Sequence, residues 1–121
     1  MCPGNRGKIS AVALPVTDSF WEDLGAGAFD HLGAGRLVSQ MDFLEDWTSW
    51  EMHPHGEEFI YLLGGSVDFV VSANGVETTT SLVSPGTFLI VPRGAWHTAN
   101  VHERSSMLFI TPGEGTQHRH R

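Results

Sequence analysis

The stretch Glu51-Met52-His53-Pro54-His55-Gly56-Glu57-Glu58 puts two histidines and three carboxylates into eight positions. Imidazole nitrogens and carboxylate oxygens are the donors that hold divalent ions, so this density points to a centre for Zn, Fe, Mn or Ni. In an extended strand side chains alternate, which places Ser49, Glu51, His53 and His55 on one face and Trp50 and Met52 on the other. Pro54 has no N–H to give to a β ladder, so the strand is predicted to stop near His53. Glu58 opens the next strand, and antiparallel pairing of the two would gather Glu51, His53 and Glu58 at one end of a barrel. Further along, Pro92-Arg93-Gly94 is a turn signal that delivers His97 to the start of another strand.

Such donors need a rigid frame, and the chain is written as one. Fourteen Gly and six Pro divide it into short runs rich in Val, Ile, Phe, Thr and Trp, the composition of an all-β domain. Strands are predicted at Ile9–Leu14, Leu37–Phe43, Trp47–His53, Glu58–Leu63, Ser66–Val71, Val76–Ser81, Thr87–Val91, His97–His102 and Met107–Thr111. Asn74-Gly75 accepts positive φ at both central positions and predicts a tight I′ hairpin turn; Gly64-Gly65 predicts a second. One helical turn is expected after Asp18 or Ser19 as N-cap. The triplets Gly25–Gly27 and Gly33–Gly35 lack the strand, helix and Lys-Ser/Thr of a phosphate loop and read as turn glycines. With 121 residues and neither repeat nor linker, the expectation is a single domain over 1–121.

At these positions the chain resembles a cupin. The first cupin motif reads Gly, five residues, His-x-His, three or four residues, Glu, six residues, Gly; Glu51, His53, Glu58 and Gly65 fit that frame, with Pro54 as a germin-like detail. The second reads Gly, five residues, Pro-x-Gly, two residues, His, three residues, Asn; Gly86, Pro92, Gly94 and His97 match it. Three positions depart: Glu45 stands where the first motif opens on Gly, Asn100 falls one place early, and Glu51 replaces the first histidine. The resemblance implies a double-stranded β-helix, the jelly-roll barrel, with motifs at about 51–65 and 86–100. It also implies a divalent metal held by Glu51, His53, Glu58 and His97. A slipped register using His53-x-His55 is the alternative, but it leaves too few residues before Glu58. On the favoured register His55 lies at the pocket mouth as a proton donor, a substrate contact or an occasional extra ligand. Cupins include oxygenases, isomerases, storage proteins and sensors, so the fold alone does not choose a function. The implied reading is a dioxygenase-like or isomerase/cyclase-like metalloenzyme acting on a small oxygen-rich or aromatic metabolite. The alternative is a non-catalytic metabolite- or metal-binding sensor.

The simpler readings are also definite. The barrel could have kept its shape without a metal, though two buried carboxylates without a cation would be costly. Glu51 could be an exposed carboxylate beside Arg36 or Arg93. Glu57, His31 and His102 read as surface groups, and the tail Gln117–Arg121 as flexible, with His118 the histidine to dock. Phe43, Trp47 and Phe109 are assigned to the core, while Trp96 and Tyr61 are candidates for the pocket. Net charge is −7 and the seven Lys and Arg are scattered, which argues against nucleic acid and anionic membrane as partners. Cys2 has no internal disulfide partner, and the apolar run after Lys8 reads as a strand and not a signal segment. The expectation is a cytoplasmic homodimer with a small-molecule ligand.

Overall fold

The computed structural model describes residues 13, 17–28 and 35–121. The expected strand Ile9–Leu14 and the residue His31 lie outside the described residues, apart from Ala13. The elements run α1 (Phe20–Gly25), β1 (Leu37–Phe43), β2 (Ser49–Met52), β3 (Glu58–Ala73), β4 (Val76–Leu82), β5 (Phe88–Val91), β6 (Trp96–Thr111) and β7 (Gln117–His120). All strand pairs are antiparallel. The order is β4-β3-β6-β2-β7, with β1 also on β6 and β5 also on β3. The result is the all-β jelly-roll architecture expected of the sequence.

β3 and β6 organise the barrel, because β3 pairs with β4, β5 and β6 and β6 pairs with β1, β2 and β3. In β3 the buried positions are Glu58, Ile60 and Leu62, then Val67, Phe69 and Val71. The inward parity changes from even to odd, so the strand must absorb an irregular step between. Register shifts against β6 fall at Leu62/Gly64, Gly64/Ser66 and Ser66/Val67. Gly64-Gly65 is therefore a bulge that bends one continuous strand, and not the hairpin turn its composition suggests. A reversal would have to uncouple β3 from β6, whose sixteen residues run past it on both sides of the bulge. The segments expected as His97–His102 and Met107–Thr111 are likewise one strand.

Gly65 has φ +97°, and a Cβ there would meet Arg104 O and Ser105 Cα at 2.6 Å. Ser105 Oγ, on the facing strand, accepts from Ser66 N at 3.0 Å and donates to Glu103 O at 2.8 Å. Any side chain at 65 would be opposed by both its backbone conformation and this packing. Gly65→Ala is expected to cost more than about 2 kcal/mol, read as a lower urea midpoint at unchanged m-value. An unchanged midpoint would mean the bulge is not held in this form.

The hairpin at Asn74-Gly75 forms as expected, with φ of 53° and 77° and Ala73 paired to Val76. Helix α1 begins after Ser19, whose hydroxyl donates to Asp23 Oδ2 at 3.1 Å. It buries Phe20 and packs Leu24 against Gly113, where a Cβ would lie 2.7 Å from Leu24 Cδ2. The tail departs from expectation: Gln117–His120 forms β7 and pairs with β2 from Ser49↔His120 to Met52↔Gln117. Arg119 stacks over Trp96 and Trp50, at 4.4 and 5.6 Å from the ring centroids. Arg121 donates to Trp47 O, Ala99 O and Asn100 Oδ1. These contacts supply the ordering that a terminal polar segment lacks by itself.

Candidate metal centre

β2 and β3 are not direct neighbours, as the sequence had suggested; β6 lies between them. His97, at the start of β6, sits opposite Glu51 of β2 and Val71 of β3. The Pro92–Gly94 turn sets His97 in place through Ala95 N→Pro92 O at 3.1 Å, while Gly94 N donates to His53 O at 3.0 Å. One loop thus ties both histidine-bearing segments together.

Glu51, His53, Glu58 and His97 converge, each offering one donor atom within 4.8 Å of the others. His53 Nε2 lies 3.0 Å from Glu51 Oε1 and 3.3 Å from Glu58 Oε2; His97 Nε2 lies 2.9 Å from Glu58 Oε1 and 3.8 Å from Glu51 Oε1. Metal bonds of about 2.0–2.2 Å place neighbouring donors of one ion roughly 3–4 Å apart, the spacing found here. His53 Nε2, His97 Nε2 and Glu58 Oε1 are buried without a well-directed hydrogen bond among the described residues, although they face one another. Converging donors that satisfy distance but not direction fit a cation at their common point.

The outer contacts are consistent with that role. Thr116 Oγ1 donates to Gly113 O at 2.8 Å, so it accepts from His53 Nδ1, 2.8 Å away. The proton on Nδ1 leaves the Nε2 lone pair turned toward the carboxylates, the tautomer a metal requires. Thr111 Oγ1 donates to Glu58 Oε2 at 2.6 Å. His118, on β7, meets Glu51 Oε2 at 3.1 Å. His118 is the tail histidine expected to dock, and it does so; that its partner is Glu51 follows from the pairing of the tail with β2.

The charges are mutually stabilised. Burial favours the neutral form of Glu51, but the hydrogen bond with His118, the contact with His53 and the nearby His97 outweigh it and hold the carboxyl far below its usual range. Burial likewise opposes ionisation of Glu58, and contacts with His53 and His97 lower its pKa. Burial would depress His53, yet Glu51 and Glu58 together push it up to about 9. The Glu51 contact also raises His118, against partial burial. Without metal, a proton on His53 occupies the charge position between the two carboxylates.

His55 stands apart. It is exposed after Pro54, with its ring edge against Gly115, where a Cβ would lie 3.3 Å from His55 Nε2. It belongs neither to the converging group nor to the cavity beside it. Arg36 donates to Glu57 O at 2.9 Å, and Glu51 is not its partner. His102 pairs with Asp68 on the surface at 2.8 Å.

The cavity has a volume of about 320 Å³ and reaches Glu51, Glu58 and Thr111. Its walls include Trp47, Phe43 and Phe109, assigned to the core from sequence, and Trp21 of α1. For Phe43 strand parity carried the missed signal, because Met41 and Phe43 share one face of β1 and both line the cavity; Trp47 precedes β2 and parity does not place it. Trp96 and Tyr61 do not line the cavity: Trp96 stacks on Arg119, and Tyr61 stacks with Phe59 at 6.4 Å.

Comparisons with known proteins bear on the fold. No curated protein matches the sequence. An oxalate oxidase structure is similar at TM-score 0.57 and 16% identity over 68% of this chain and 45% of that one. Hydroxypropylphosphonic acid epoxidase from S. wedmorenis in complex with fosfomycin is similar at 0.54 and 14%, over 64% of this chain and 43% of that one. Drosophila melanogaster CENP-C bound to CAL1 is similar at 0.54 and 16%, over 61% and 63%. The chain thus spans less than two thirds of the length of each. The profile of the cupin domain family matches residues 44–112, more than half of the chain and both ligand-bearing motifs, and the chain belongs to that family.

Proposed function

We propose that the chain is a metal-dependent enzyme acting on a small oxygen-rich or aromatic metabolite. The observation that carries this reading is the junction of a two-His, two-Glu donor set, buried at His53, Glu58 and His97, with a cavity that opens onto it. A donor set serving structure alone has no need of an adjoining pocket, whereas catalysis needs open positions facing substrate. A divalent ion held by these four residues would supply Lewis acidity or, as iron, redox chemistry toward O₂. Dioxygenation of a dicarbonyl or phenolic compound, or isomerisation at an enolisable carbon, are the reactions suited to it. The apolar walls exclude water and orient the substrate. His118, which both lines the cavity and touches Glu51, is better placed than His55 to hold or move a proton.

In this reading the chain is a cytoplasmic homodimer that pairs through the outer face of β5, where Phe88 and Ile90 are 55% and 48% exposed. That apolar face also favours a second reading, a binding module with a protein partner. The similar CENP-C fold is seen bound to CAL1.

Protein purified without chelator is expected to hold close to one divalent metal per chain, and the iron-loaded form to consume oxygen with β-dicarbonyls or phenols. Absence of metal, with silent titrations of Fe, Mn, Ni and Zn, would sink the metal assignment. Stoichiometric metal without turnover would leave the binding module.

A further inference from the structure

The cavity walls change character with depth. Glu58 and Thr111 form a buried floor, and Glu58 is 2% exposed, with Oε1 facing His97 Nε2 at 2.9 Å. Beside it the rings of Phe43, Trp47 and Phe109 pack on one another, with centroids 5.6 to 6.3 Å apart, and form one aromatic wall. At the rim are Glu45 and Asp46, exposed residues of the loop between β1 and β2. Asp46 Oδ1 accepts from Val101 N at 2.7 Å, which orders the rim and leaves its other oxygen available. No Lys or Arg is among the described residues lining the cavity, and His118 is paired with Glu51.

We propose that this pocket selects an arylalkyl amine, its ring against the aromatic wall and its ammonium at the Glu45–Asp46 rim. The inference rests on the reading that the cavity beside the donor set is the ligand pocket. A divalent ion and the two ligand carboxylates cancel in charge, and His118 adds at most one positive charge, so the two rim carboxylates leave the remaining field negative. That field repels carboxylate and phosphonate ligands and attracts a cation, which the ring faces also favour. At about 320 Å³ the cavity lies at the low end of ligand pockets, roughly 300–1,000 Å³, and suits one ring with a short chain.

The test is calorimetric titration of 2-phenylethylamine, 2-phenylethanol and phenylacetate into both the metal-free and the zinc-loaded 121-residue chain. The amine is expected to bind about fivefold tighter than the alcohol, the size of an exposed ion pair, and roughly twentyfold tighter than the acid. Changing Glu45→Gln together with Asp46→Asn should remove the amine preference while leaving alcohol affinity and zinc content unchanged. Equal or tighter binding of phenylacetate, a preference that survives the double change, or no binding of any probe at millimolar concentration would overturn the proposal. Failure to take up zinc with the amine ranking intact would count against the metal reading alone. Zinc uptake without the ranking would count against this inference alone.

Discussion

Glu51→Gln is expected to weaken divalent-metal affinity by more than about a hundredfold, whereas His55→Ala should change it by less than about threefold. Loss of an outer contact to a metal ligand typically costs about ten- to a hundredfold, so loss of an anionic ligand should exceed that range. Glutamine keeps the size of Glu51 and can still accept a hydrogen bond from His118, so the strand should survive the change. His55 is exposed and outside the converging group, and its removal leaves all four donors in place. Competition against a chromophoric chelator gives both affinities. The opposite ranking would show that the slipped register, with His53-x-His55 as the pair, is the one the metal uses.

Metal affinity should also rise with pH, close to tenfold per unit between about pH 6 and 8, with nearly one proton released per ion bound. The cause is His53, whose pKa is pushed up to about 9, so the ion must displace its proton throughout that window. The same shift governs the metal-free protein. A histidine raised above its usual value near 6.5 contributes stability that is complete below that value and disappears as pH rises through 9. The contribution is on the order of 3 kcal/mol. Glu51 and Glu58 are lowered, so their contribution is present above the usual carboxylate range and is lost as pH falls toward their depressed values. Metal-free protein should therefore be most stable near pH 5 to 6.5, while metal-saturated protein holds its stability toward pH 9. Thermal melts of both forms, with titrations in buffers of different ionisation enthalpy, measure this. A pH-independent affinity, without proton release, would show that His53 carries no proton in the metal-free site.

Local chemistry made much of the fold legible. The strand Leu37–Phe43 and the Asn74-Gly75 hairpin lie where composition put them, because a β-prone run and a positive-φ pair act on their own neighbours. The convergence of Glu51, His53, Glu58 and His97 was legible too, since motif spacing specifies which strands carry the donors. What failed was non-local. Two glycines side by side read equally as a turn or a bulge, and the choice at Gly64-Gly65 was made by β6, a strand some forty residues away. The tail Gln117–Arg121 has no β signature of its own and becomes a strand because β2 offers it an open edge. Trp47 and Phe43 are apolar whichever side they face, so only the placement of their strands distinguishes wall from core.

β7 bears on the centre in a way that its single side-chain contact understates. β2 meets β6 at one paired position, Glu51 opposite His97, but meets β7 at four. The C-terminal residues thus serve as a ruler for the strand that carries the first ligand. A slip of β2 by one residue would turn Trp50 and Met52 toward the donors and Glu51 away from them, because side chains alternate with period two. The geometry of the donor group is therefore measured out, in part, by residues that lie outside it.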